Sequence, residues 1–186
     1  MQDALLDRLA VRARQVGGRI EELTADLSTA QLEWRPRPRA WSTAQVLEHL
    51  ALAAGLYLQR MRNALDHRRG RIGARRPAPW RPTLWGRVLL WAIDPGGAPW
   101  VPVPRAFAPG PMPRPTVRAD FRRTQEELLE LLARADGLDL NRVRLGSPVS
   151  GLIRLNLGDC FALLVTHAER HAGQLQRIRA AGRFPA

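Results

Sequence analysis

Proline divides this chain. Most of its fifteen prolines and four of its six tryptophans fall between residues 69 and 115, in arginine-rich sequence. A proline inside a helix removes a backbone donor and clashes with the preceding turn, and inside a sheet it removes a ladder bond. No long regular element can cross most of this stretch, so the helix-forming sequence is split into two halves. On the N-terminal side, Leu5, Leu9, Val16, Ile20, Leu23 and Leu27 recur at helical spacing over residues 3–26. Pro36 and Pro38 close the run. From Thr43 to about His67 a proline-free, alanine- and leucine-rich segment predicts a second helix, capped by Ser42 or Thr43. On the C-terminal side Thr116 opens a third helix with Phe121, Leu128, Leu131 and Leu132 on one face and Gly137 as its stop. A fourth runs from Asp159 to about Ala181, preceded by Asn156 or Gly158. The fold class is all-α: an up-down four-helix bundle with a long crossover between helices two and three, in which sites are built from inward-facing side chains. Within the crossover "TLWGRVLLWAI" predicts a short helix and the remainder an extended or polyproline path. "VRLGSPVSGLIRLN" predicts a short hairpin or a loop.

At 186 residues the chain is expected to form a single domain over 1–186, with 69–115 as an insertion within it. The N-terminus, "MQDALLDRLAVRARQ", mixes acids and arginines and lacks the pattern of a secretory signal. The longest apolar runs, such as "VLLWAI", fall short of the roughly 20 residues needed to cross a bilayer. A soluble, cytoplasmic protein without a membrane partner is expected. The lone Cys160 excludes an internal disulfide framework and a cysteine-rich zinc site. The net charge of +12 is concentrated in the middle of the chain, where residues 60–123 hold fourteen arginines and three acids. The flanking segments are nearly balanced, and no lysine occurs. "RMRNALDHRRGRIGARR", with Trp80, Trp85, Trp91 and Trp100, has the charge and stacking rings for weak, salt-sensitive binding of nucleic acid or another polyanion. A solvated surface is the plainer reading. Trp34 and Trp41, beside helix boundaries, suggest packing at the bundle end.

Chemistry concentrates in "LLVTHAERHAGQLQRIR" of the last helix. At about 100° per residue, His171 lies about 40° from His167, and Gln174 about 20° on the other side. Leu163, Leu164, Leu175 and Ile178 fall near the same stripe, so the imidazoles face the core. Two imidazoles one turn apart can reach one divalent ion, or can be a hydrogen-bonded pair in a core. The spacing is not that of the HExxH proteases, because Ala168 follows the first histidine. In the second helix His49 shares a stripe with Gln45, Val46, Ala53 and Leu56 and also faces inward. Gln45 and Gln174 lie within about one turn of these histidines, where they can orient an imidazole or a bound water, or can satisfy backbone or solvent at a helix contact. His67, in "LDHRRG" at a charged helix end, is set aside. Cys160 lies about 10 Å along the axis from His167 and reads as a small buried hydrophobe.

"RPRPRAWSTAQVLEHL", "NLGD" and "THAERHAGQL" together resemble the DinB/YfiT-like family of metalloenzymes: a proline-containing loop with Trp-Ser and a histidine seven residues on, then a closing His-x3-His-x2-Gln. The likeness spans most of the chain. It implies a four-helix bundle, often a homodimer, with a divalent metal held by His49, His167 and His171. Zinc, nickel and iron all suit three imidazoles. Relatives in the wider superfamily are transferases and isomerases dependent on low-molecular-weight thiols. The resemblance therefore implies a metal-dependent enzyme acting on a small-molecule substrate, by thiol-dependent S-transfer or a related hydrolysis or isomerisation. The different reading is a non-catalytic stress-response protein that binds polyanions through its crossover; a metal or small-ligand carrier is a third.

Overall fold

The structure, a computed structural model, describes residues 4–67, 78–96 and 102–185. Trp100 and the arginine run at 68–76 lie outside them. Four long helices form the bundle: α1 (Ala4–Thr24), α3 (Thr43–Asp66), α5 (Val117–Arg134) and α6 (Leu157–Arg179). Between α1 and α3 comes the short α2 (Thr29–Glu33), and the crossover contains α4 (Leu84–Ile93) and a 3-10 turn at Arg105–Phe107. The segment before α6 is a hairpin, β1 (Arg144–Gly146) antiparallel to β2 (Arg154–Asn156), with Leu145 opposite Leu155.

Local chemistry sets the helix ends. Of the two candidates before α3, Ser42 is the cap: its hydroxyl accepts from Gln45 N, and Gln45 Oε1 accepts from Ser42 N. Asn156, rather than Gly158, caps α6 through the same reciprocal pair with Asp159. Gly137, at φ 80°, supplies the left-handed residue that ends the segment after α5.

Of the consecutive pairs of long helices, only α3 and α5 lie side by side in the bundle. Both α1 and α3 pack against α5 and α6 and scarcely touch each other, so the order around the bundle is α1, α5, α3, α6. The buried side chains divide into two clusters along its length. One gathers Leu6, Leu9, Leu58, Met61, Leu132 and Phe161; the other gathers Ile20, Leu47, Leu50, Phe121, Leu175 and Ile178. His49 follows Leu47 of the second cluster and precedes Ala53 of the first, so it sits where the two meet.

The crossover is tied to the start of α6. Asp159 is fully buried, and its carboxylate accepts from Thr83 Oγ1 (2.7 Å), Thr83 N and Asn156 N. Asn156 Oδ1 accepts from Trp80 Nε1 (3.1 Å), while its amide donates to Arg81 O (2.9 Å). The indole lies so close to Gly158 that a Cβ there would meet Trp80 Cδ1 at 2.3 Å. The sequence "NLGD" thus caps one helix and docks another segment onto it. Asp159→Ala leaves the buried donors of Thr83 and Asn156 without their acceptor and is expected to cost about 2–4 kcal/mol, measured as a lower urea midpoint.

Candidate metal centre

Helices α3 and α6 bring together all three histidines expected to meet. His49 Nε2 lies 3.0 Å from His167 Nε2, which lies 3.1 Å from His171 Nε2. The rings meet edge to face at centroid distances of 4.6–4.9 Å. His49 and His171 are buried and His167 is half-buried.

Hydrogen bonds at the far nitrogens set the tautomers. His49 Nδ1 is 2.7 Å from the carbonyl oxygen of Phe107, and His171 Nδ1 is 2.7 Å from Gln174 Oε1. Each partner oxygen only accepts, so each Nδ1 carries the proton and each Nε2 presents a lone pair to the centre. Burial holds all three rings neutral: it lowers the pKa of His49, takes that of His171 down to about 3, and takes that of His167 well below the ordinary range. Positive charge on the neighbouring rings would lower His167 and His171 further.

This donor set fits a divalent cation. Metal–nitrogen bonds of about 2.0–2.1 Å, at angles from square to tetrahedral, place adjacent ligand nitrogens about 2.8–3.4 Å apart, and both Nε2 separations lie in that range. Hydrogen bonding alone does not satisfy the cluster: a neutral His167 has at most one proton at Nε2, whereas two lone pairs face it. The three ligand atoms lie within 4.8 Å of one another, and among the described residues no carboxylate or thiol joins them.

Gln174 contacts the ring of His171, whereas Gln45 bonds backbone. Its oxygen is committed to Ser42 N and its amide donates to Gly110 O (2.9 Å). Glu48, one position before His49, accepts from Gly110 N (2.8 Å). The two side chains therefore grip both polar groups of one crossover residue, three positions after the Phe107 carbonyl that fixes His49. Gln45 acts on the centre through the backbone. Neither Glu48 nor Phe107 stood out in the sequence, because a carbonyl has no residue signature and a glutamate beside a histidine is ordinary. Trp41 also does more than pack the bundle end: its ring is 4.8 Å from that of His49 and stacks, at 20° and 6.3 Å, beside His171. Trp34 meets Phe184 edge to face, as an end-packing residue should.

The residues set aside stay aside. His67 is exposed and bonds Asn63 O at the end of α3. Cys160 is buried, and burial raises its pKa so that the thiol stays protonated. Glu169 turns outward to Arg12, 2.6 Å away.

Comparison with known proteins follows the same line. The sequence profile of the DinB superfamily matches residues 12–175. A solved structure is similar at a TM-score of 0.58 and 16% identity, covering 94% of this chain and 85% of that one. It is YfiT from Bacillus subtilis, described as a probable metal-dependent hydrolase with an unusual four-helix bundle topology. No curated protein sequence matches the chain.

Two outcomes are expected. Because the folded-state pKa values lie below the unfolded value of about 6.5, the unfolded chain binds more protons, and metal-free protein loses stability as pH falls below that value. Each histidine contributes about 1.4 kcal/mol per pH unit until its folded pKa is reached. Urea midpoints at neutral and mildly acidic pH measure this, and His171→Ala should flatten the slope. Glu48→Ala releases Gly110 and should weaken metal affinity about 10-fold, read by competition with a chromogenic chelator.

Proposed function

The chain belongs to the DinB superfamily, and from that premise we propose that it is a metal-dependent enzyme whose His49, His167 and His171 hold one divalent cation. Its reaction activates a small nucleophile, water or a low-molecular-weight thiol, toward a small-molecule substrate. The observation that carries this reading is the pair of Nε2 lone pairs, fixed from behind by Phe107 and Gln174, that face the third imidazole. A divalent ion bound there supplies a charge that polarises a substrate group and acidifies water or a thiol.

This chain's residues define what such a site can do. Three neutral donors leave that charge uncompensated, which favours an anionic fourth partner, and three protein ligands leave room for one. Imidazole donors suit zinc, nickel or iron. Trp41 provides a flat wall beside His49 and His171 against which an apolar part of a substrate can lie. Water as the nucleophile gives hydrolysis, the activity named for the structural relative from Bacillus subtilis. A thiol gives S-transfer, the activity suggested by the family resemblance. The protein works as a homodimer in this proposal, on the same ground.

Untagged protein should carry close to one divalent ion per chain by elemental analysis, and His167→Ala should bind it at least about 100-fold more weakly. Parallel hydrolysis and thiol-transfer assays on both proteins then identify the nucleophile. Wild-type protein that retains no zinc, nickel or iron after reconstitution would overturn the proposal.

A further inference from the structure

Helix α4 is apolar on both sides. Its Leu89, Leu90 and Ile93 pack against the core, and the helix lies along α6. On the other side Leu84, Trp85, Val88 and Trp91 are exposed, Leu84 at 66% and Trp91 at 65%. At 100° per residue these four cover an arc of about 120°. Among the described residues nothing covers it. A helix with apolar residues on all sides is ordinarily buried on all sides, so this arc calls for a partner.

Charge identifies the partner. Residues 67–93, which lead into and form α4, hold seven arginines and no acid, and Asp94 follows at the helix end. Arg87 borders the arc, Arg81 lies three residues before the helix, and both are exposed, as is Arg154 on β2, which packs beside α4. We infer that α4 is a docking helix that seats the protein on an anionic lipid surface, with Leu84, Trp85, Val88 and Trp91 entering the interfacial layer and the arginines pairing with lipid phosphates. Tryptophan favours the headgroup level of a bilayer, and arginine can lay its stem on apolar material while its charge meets phosphate. A second copy of this face would bring the same arginines against these. Nucleic acid would use the arginines and the indoles but has no place for Leu84 and Val88. A single helix presents a ridge rather than a groove, which suits a soft planar surface better than a peptide. No described helix is long and apolar enough to cross a membrane; a helix lying in the interface needs no such length.

Flotation of the full chain with vesicles tests this, using phosphatidylcholine alone and phosphatidylcholine with a third phosphatidylglycerol, at near-physiological salt. Binding is expected to the anionic vesicles only. The double variant Leu84→Ser/Trp91→Ser, with unchanged circular dichroism and thermal midpoint, should bind them at least about 10-fold more weakly. His167→Ala should bind like wild type, which separates this inference from the metal centre. Three results would each overturn it: no binding to anionic vesicles; equal binding by the double variant, which leaves charge alone and points to nucleic acid or any polyanion; or a wild-type dimer that the double variant converts to monomer, which makes a second copy the cover.

Discussion

Three imidazoles gathered at one point, two buried and one half-buried, give up most of their contact with water, and the protein returns the lost hydrogen bonds unevenly. Two rings receive an acceptor at Nδ1, one from the Phe107 backbone and one from Gln174. No described donor then meets both remaining lone pairs, since His167 can serve only one. Desolvation keeps all three rings uncharged, so a proton is a poor substitute for a cation. The helix arrangement follows the same demand, because α3 and α6 must lie side by side for rings from positions 49, 167 and 171 to meet.

The crossover belongs to this machinery. A proline-rich connection cannot satisfy its own backbone groups through regular structure, and here the bundle supplies partners, two sets of which anchor its ends. Asn156 and Asp159 at the start of α6 hold residues 80–83. Gln45 and Glu48 on α3 hold Gly110, close enough in sequence to Phe107 to place its carbonyl against His49. The side chains that dock the crossover are the N3 residues of two capping boxes, or lie beside one, so the chemistry that starts each helix also positions the loop that completes the site.

Between those anchors, α4 faces two environments. Its inner side joins the core through Leu89, Leu90 and Ile93, and its outer side presents indole and aliphatic surface amid arginine. The arginine excess of the sequence and the apolar excess of the helix are thus features of one region. Neither feature is needed to gather the three histidines, which explains why the bundle and the crossover differ so sharply in composition.

Helical periods, proline boundaries and caps made the four long helices legible from residues alone, because those signals act over a few positions. The inward orientation of His49, His167 and His171 was equally local, and the family resemblance joined them into one set. Of the two readings open for Gln45, a partner of an imidazole or a bound water and a partner of backbone, its contacts are with backbone, because helical phase specifies a direction and leaves open which neighbouring backbone competes for the amide. Nε2 separations near 3 Å, the role of the Phe107 carbonyl, the grip on Gly110 and the stacking of Trp41 all depend on segments distant in sequence coming together. The order α1, α5, α3, α6 around the bundle does so too. Sequence sets what each segment can form and which face it must bury; only packing decides which buried faces meet, because apolar surfaces are interchangeable until particular shapes and unpaired polar atoms choose among them.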